Sequence, residues 1–271
     1  MALIQGTESN DSLYNPSTDD TVYLGGGDDR FTFGYGNDTV SGGTGNDTIG
    51  TSADSESGGT VFGESGDDAI VAFYGKEHAL YGGEGDDFIR SGGYSDSLFG
   101  GNGDDDLSGY AGNDRLYGEE GDDLLVGSTG SDVLVGGNGN DTIAGQLYKD
   151  NSHRIEDITN NIDTLYGGGG ADIFILGESF VPSRFYSNLN DGKTGSFYSL
   201  NGNNDYAVIE DFQVGEDKIQ LRGTLNNYTI GASATDLFIY QRDENNTGSG
   251  ELIARVDGVA GQNITSDFIF V

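Results

Sequence analysis

A nine-residue period runs through the first two-thirds of this chain and constrains its fold more than any other feature. Residues 42–50 read GGTGNDTIG, 82–90 GGEGDDFIR, 100–108 GGNGDDDLS and 136–144 GGNGNDTIA. The shared frame is G-G-x-G-x-D-x-U-x, where U is a large apolar residue. Seven copies follow without a gap, starting at 82, 91, 100, 109, 118, 127 and 136. Upstream windows start at 6, 15, 24, 33, 42, 51, 63 and 73, with three extra residues before 63 and one before 73. Downstream windows start at 145, 158 and 167, with four extra residues before 158. The sixth position is Asp11, Asp20, Asp29, Asp38, Asp47, Asp68, Asp87, Asp96, Asp105, Asp114, Asp123, Asp132, Asp141, Asp150, Asp163 and Asp172, with Glu56 and His78 as exceptions. The eighth is apolar except at Gly58 and Ser152. A Gly/Asp-rich disordered linker would not hold an apolar residue at every ninth place. Self-similarity at a fixed period marks a repeat architecture.

The period has a direct physical reading. Six Gly-rich residues ending in Asp form a turn in which Gly supplies positive φ. The x-U-x that follows is a very short strand, and only U points inward because side chains alternate along a strand. Two such units return the chain to its starting side. The expected fold is therefore all-β: a parallel β-roll with eighteen residues per coil, about nine coils in all. Residues eighteen apart then stack. Asp87, Asp105, Asp123 and Asp141 should form a ladder on one edge, and Asp96, Asp114 and Asp132 another on the opposite edge.

Carboxylates stacked at strand spacing repel unless a cation lies between them. The tight turns also expose backbone carbonyls on the same edges. A flexible set of six to eight hard oxygen donors suits calcium, whereas magnesium wants stricter octahedral geometry. The candidate ligands are the sixth-position Asp residues, other than Asp150, and the turn glycines. These are Gly25, Gly27, Gly34, Gly36, Gly43, Gly45, Gly83, Gly85, Gly101, Gly103, Gly112, Gly121, Gly130, Gly137, Gly139, Gly168 and Gly170.

Composition agrees. With 12 Lys+Arg against 46 Asp+Glu, the formal charge is −34. That excludes nucleic acid, whose phosphates need a basic surface, and an anionic membrane surface. One inward apolar residue in nine is too little buried area to offset chain entropy, so the metal should act as the missing core. The chain should be largely disordered without it. No Cys is present, and no apolar run is long enough to span a membrane. The N-terminal MALIQGTESN has neither the basic nor the apolar region of a signal peptide.

The frame resembles that of RTX proteins, the hemolysin-type calcium-binding β-roll. That resemblance implies ions between successive turns on one edge, held by repeat Asp carboxylates and loop carbonyls. The carry-over rests on 82–144 and extends to 24–50 and 167–175. It weakens at 51–81, where glycines are missing and His78 replaces Asp, and at 145–166, where Gly145 begins a broken repeat. The first two windows lack most glycines and are expected to form an imperfect starting coil.

The nonapeptide pattern ends at Ile175, giving a roll over 1–175. Residues 176–204 read as an irregular loop or insertion, and 205–271 as a β-rich cap for the exposed end of the solenoid. In the cap, Asp236–Arg242 and Glu251–Asp257 alternate like a hairpin around ENNTGSG, and DFIFV is a last short strand. IEDFQVGEDKIQL resembles the element closing RTX rolls in secreted proteases and in cyanobacterial hemolysin-type calcium-binding proteins. The terminal DFIFV also resembles an uncleaved type I secretion signal; the bland alternative is an edge strand that completes the cap. The resemblance implies a secreted or cell-surface protein, without a cleaved N-terminal signal, handled by type I secretion machinery.

No catalytic constellation is visible. HExxH is absent, and GASAT at 231–235 misses the nucleophile elbow GxSxG by its last residue. His78 is expected to fill a turn where one ion is lost, and His153 to be solvated. Tyr81, Phe99, Tyr117 and Tyr166 are expected to pack along the roll. Three roles compete: an extracellular structural or interaction protein of a surface layer, matrix or adhesive; an accessory module of a secreted protease, lipase or polysaccharide epimerase; and a module binding cell-surface polysaccharide. For the last, Arg90, Phe99 and Tyr117 look too scattered to form a binding stripe.

Overall fold

The computed structural model describes residues 3–15, 19–51, 57–72, 75–145, 162–176, 206–221, 223–242 and 251–271. Two parallel sheets face each other across a single core. One contains eleven strands, all parallel. The other contains thirteen, of which eleven run parallel and the last two extend the sheet antiparallel. Consecutive short strands alternate between the sheets, and partners within a sheet lie eighteen residues apart over most of the roll: Leu98 stacks on Leu116 and Leu116 on Leu134. This is the coil expected from the period.

The eighth-position residues form the core. Val22, Val40, Val61, Leu80, Leu98, Leu116, Leu134 and Leu165 line one sheet; Phe31, Ile49, Ile70, Ile89, Leu107, Leu125, Ile143 and Phe174 line the other. All are essentially inaccessible to solvent. Each turn must reverse the chain within a few residues, and this is where glycine is required. Gly85, for example, has φ +122°, and a Cβ there would lie 2.3 Å from the carbonyl oxygen of Gly66.

Two register expectations are corrected. Val61, not Gly58, stacks on Val40, and Gly59 stands opposite Asp38. The three extra residues therefore precede residue 54 rather than 63, and Glu56 does not hold the sixth position. The apolar register of Val61 outweighs the nominal nine-residue count. Next, Asp132 is followed in its ladder by Asp163 and Asp141 by Asp172, each 31 residues on. The window starting at 145 thus contributes no rung between Asp132 and Asp163 or between Asp141 and Asp172. Asp150, Ser152 and His153 lie outside the described residues, as does the expected loop or insertion at 176–204 apart from Leu176, which is buried in the core.

At the N-terminal end Leu3–Gln5 already pairs with Thr21–Tyr23, one strand before the first window. At the other end the ladders continue past Ile175. Tyr206–Ile209 pairs with Ile162–Leu165, and Lys218–Leu221 lies beside Ile173–Ile175. Leu237–Gln241 and Glu251–Val256 are antiparallel partners, as the alternation predicts, and Tyr228–Ala232 adds a third strand beyond them. Phe268–Phe270 closes the second sheet against Lys218–Leu221. Asp267, just before it, accepts hydrogen bonds from Lys218 Nζ at 2.8 Å and the Gly215 amide at 3.1 Å.

Candidate metal centre

The sixth-position Asp residues form two ladders along the edges of the roll. On the first edge the amide of Asp87 donates to Asp105 Oδ1 at 2.7 Å, that of Asp105 to Asp123 Oδ1 at 2.8 Å, and that of Asp123 to Asp141 Oδ1 at 2.9 Å. The same link joins Asp11 to Asp29, Asp29 to Asp47, Asp47 to Asp68, Asp68 to Asp87 and Asp141 to Asp172. On the second edge it joins Asp20 to Asp38, Asp96 to Asp114, Asp114 to Asp132 and Asp132 to Asp163. Nearly all these carboxylates are buried. From Asp29 and Asp38 onward, each accepting Oδ1 is thus engaged by the backbone of a neighbouring coil.

Oδ2 is not. In Asp29, Asp38, Asp47, Asp68, Asp87, Asp96, Asp105, Asp114, Asp123, Asp132, Asp141 and Asp172 this atom is buried without a hydrogen-bond partner. A buried unpaired carboxylate oxygen is costly and demands a counterion. Its surroundings supply further oxygens. A Cβ placed on Gly82 would lie 2.1 Å from Asp87 Oδ2 and 2.6 Å from the carbonyl oxygen of Gly100. Gly42, Gly63, Gly118 and Gly136 show the same convergence of their own repeat's Oδ2 and the next turn's carbonyl. Among the described residues no three acidic or histidine side chains meet at one point, so any ion here must take much of its shell from carbonyls. Carboxylate plus carbonyl oxygen in a pliable turn is a calcium donor set.

The turn glycines sort accordingly. Gly25, Gly27, Gly43, Gly45, Gly83, Gly85, Gly101, Gly103, Gly121, Gly137, Gly139, Gly168 and Gly170 adopt positive φ on the first edge, and Gly36, Gly112 and Gly130 on the second. Gly34 is not among the positive-φ residues, although it stands at a second position. The two edges differ. On the first, first-position glycines recur from Gly42 to Gly167. On the second, the same glycine–Oδ2 contact recurs at Gly109 and Gly127. At two other first positions on that edge a side chain stands instead: Phe33 is buried there, and Ser91 Oγ donates to the Gly109 carbonyl at 2.7 Å.

Nine of the ladder carboxyls are raised by burial, the neighbouring backbone amide draws each part of the way back, and adjacent carboxylates add to the rise. Asp105, Asp114 and Asp132 are pushed up to about 8, Asp68 and Asp141 to about 7, and Asp47, Asp87, Asp123 and Asp172 to about 6. Such an array favours protons or metal ions.

Two features lie beyond the sixth-position frame. The fifth position carries a second ladder of opposite sense, in which each amide donates back to the preceding coil. Asp104 donates to Asp86 Oδ1 at 2.9 Å, Asp122 to Asp104 Oδ1 at 2.9 Å and Asn140 to Asp122 Oδ1 at 2.7 Å. The recurrence of Asp or Asn at that position was the available signal. Asp217 also extends the first-edge ladder, accepting from the Asp172 amide at 3.2 Å. GEDKI at 215–219 carries the second half of the repeat frame, which makes Asp217 legible in retrospect. Beside it Asp211 accepts from the amides of Gly167 and Gly168, and Gln213 Nε2 donates to the Gly168 carbonyl.

The aromatic residues partly depart from expectation. Phe62, Tyr81, Phe99 and Tyr117 form one column with ring centroids 4.9, 4.6 and 5.0 Å apart and nearly parallel planes. Phe99 and Tyr117 are therefore adjacent rungs, not scattered ones. Parallel strands in register place every ninth-position ring over the next. Arg90 sits instead over Tyr110, 5.2 Å from its centroid, and Tyr166 stands beside Val135.

Comparison with known proteins completes the picture. Residues 3–31, 33–51, 81–116, 117–147 and 159–179, about half of the chain, match the family described as RTX calcium-binding nonapeptide repeat (4 copies). No curated protein matches the chain. Among solved structures, it is similar to the AlgE6R3 subunit from the Azotobacter vinelandii mannuronan C5-epimerase. That match has 21% identity and a TM-score of 0.32, covering 65% of this chain and 78% of that one. It is also similar to the extracellular lipase LipA from Serratia marcescens, at 15% identity and a TM-score of 0.24, covering 98% of this chain and 39% of the lipase. Among the described residues no helix is long and apolar enough to cross a membrane. RTX nonapeptide repeats bind Ca2+ between turns of the β-roll, where this chain gathers its unpaired carboxylate oxygens and glycine carbonyls; the chain belongs to the RTX calcium-binding nonapeptide repeat family.

Proposed function

We propose that this protein is secreted, folds on binding calcium outside the cell, and serves there as a structural or interaction element of a surface, matrix or adhesive layer. The observation that carries the reading is the row of buried Oδ2 atoms without hydrogen-bond partners. Ionised and metal-free, that row opposes the fold; with divalent ions between the turns it becomes the source of stability. Extracellular calcium modules bind with Kd on the order of 10⁻⁴–10⁻³ M. Such sites would stay empty in a calcium-poor cytoplasm and fill outside.

In this reading the sites form a continuous row on the first edge, between turns from Gly42 to Asp172. The second edge has a short row around Gly109–Asp132. Circular dichroism in chelator and in millimolar calcium tests the proposal. A coil spectrum converting to β on calcium addition is expected, and an unchanged β spectrum in chelator overturns it. Removing Asp267–Val271 and assaying the medium tests the export route. Lost export with calcium-induced folding intact assigns these residues a signal, whereas unimpaired export leaves them as the closing strand alone.

A further inference from the structure

The ends of the first-edge ladder differ from its interior in one hydrogen bond. From Asp29 to Asp172 every sixth-position Oδ2 on that edge is buried without a partner. At Asp11 and Asp217, the first and last rungs, this oxygen is engaged. The Thr7 amide donates to Asp11 Oδ2 at 2.6 Å, and the Thr7 hydroxyl donates to the same atom at 2.9 Å. The Gln213 amide donates to Asp217 Oδ2 at 2.7 Å. Both bonds run from the second residue of a turn to the sixth, since FQVGEDKIQ at 212–220 keeps the spacing of the repeat.

The second residue also sets the hand of the turn. From Gly25 to Gly168 the second residue of every first-edge repeat has positive φ. Two of them are not glycine: Glu64 has φ +79° and Glu119 φ +82°, a strained conformation for a residue with a side chain. Thr7 and Gln213 are not among the positive-φ residues. Along this edge a left-handed second residue accompanies a free Oδ2, and its loss accompanies an amide on Oδ2 at both ends. Strain retained at Glu64 and Glu119 marks the left-handed turn as one the interior requires.

We propose that Thr7 and Gln213 terminate the calcium row, so that Asp11 and Asp217 hold the stack but bind no ion. The inference rests on calcium meeting the free Oδ2 atoms of the interior rungs. A carboxylate oxygen that already accepts hydrogen bonds is satisfied without a counterion, and the donors aimed at it stand where the ion would lie. At the N-terminal end the other oxygens of a cradle are present. A Cβ on Gly6 would lie 2.1 Å from the Leu24 carbonyl oxygen and 2.9 Å from Asp11 Oδ2, the same pairing that frames Gly82. Thr7 is what closes it. At the C-terminal end Asp217 commits both oxygens, because its Oδ1 accepts from the Asp172 amide at 3.2 Å. Gln213 adds a second bond there, from Nε2 to the Gly168 carbonyl at 2.7 Å.

Calcium titration calorimetry on the full chain and its variants counts the sites, with circular dichroism checking that each variant folds. Asp11→Asn and Asp217→Asn are expected to keep the wild-type number of calcium equivalents, whereas Asp105→Asn loses sites. Thr7→Gly removes the hydroxyl and lets the first turn take the hand of Gly25, so it should gain about one equivalent. Loss of an equivalent in Asp11→Asn or Asp217→Asn, or a wild-type count in Thr7→Gly, overturns the proposal. Asp217→Asn gives up one buried acceptor; should that variant not fold, Asp11→Asn and Thr7→Gly decide. A wild-type count in Asp105→Asn instead overturns the calcium row on which the proposal rests.

Discussion

Asp105 and Asp123 are joined in a way that makes each coil depend on the next. The Asp105 amide donates to Asp123 Oδ1 at 2.8 Å, while Asp105 Oδ1 receives the Asp87 amide at 2.7 Å. In both residues one carboxylate oxygen is committed to holding the stack, and the other is buried beside a turn glycine with no hydrogen-bond partner.

Asp105→Asn separates these two jobs. The amide oxygen can still accept from Asp87, but the charge and the free acceptor are gone. Calcium titration calorimetry should show fewer sites and a roughly tenfold higher midpoint for folding, equivalent to about 1.4 kcal/mol. Asp38→Asn, beside the interrupted part of the second edge, should change stoichiometry less. Equal effects at both positions would contradict the asymmetry between the edges.

Gly103→Ala tests the turn geometry. Gly103 has φ +127°, and a Cβ there would lie 2.2 Å from the Gly85 carbonyl oxygen. Backbone strain of this kind costs about 1–3 kcal/mol, and denaturant unfolding of the calcium-loaded protein should reveal it. Gly93→Ala, where nothing lies within 4 Å of the added carbon, should be near neutral.

The raised carboxyls give the metal-free roll an inverted pH dependence. An unfolded Asp titrates near 3.9, whereas Asp105, Asp114 and Asp132 in the folded chain titrate at about 8 and Asp68 and Asp141 at about 7. Between about pH 4 and 8 the folded state binds more protons than the unfolded state, so its stability falls as pH rises. In chelator, the β signal should be stronger at pH 5.5 than at pH 8. Calcium displaces these protons, so its apparent affinity should rise over the same interval. A chelated chain that gains structure with rising pH would be incompatible with buried, unpaired carboxylates.

Asp267→Ala should loosen the closing end of the roll. The carboxylate is almost wholly buried and links the Lys218 ammonium to the Gly215 amide. Its loss strands a half-buried cation and an amide donor at an expected cost of about 1–3 kcal/mol. Hydrogen exchange in calcium should show Ile219–Leu221 exposed first, with the central coils unchanged.

The sequence alone determined the repeat, because a glycine turn plus one inward apolar residue has only one economical way to bury that residue. The stacking of Asp87, Asp105, Asp123 and Asp141 follows from an eighteen-residue coil without any coordinates, and so does the calcium chemistry of the edges. Only the tertiary structure decided how the interruptions resolve. Val61 claims the core position that simple counting assigns to Gly58, since an apolar side chain in register with Val40 outweighs an unbroken nine-residue frame. Asp163, not Asp150, follows Asp132 in its ladder, because that rung needs a carboxylate with an apolar residue two places on, and Asp163 and Leu165 offer both. The inequality of the edges was equally out of reach: whether a first-position residue opens a cradle, as Gly82 does, or closes it, as Ser91 does with its hydroxyl on the Gly109 carbonyl, depends on contacts between coils eighteen residues apart.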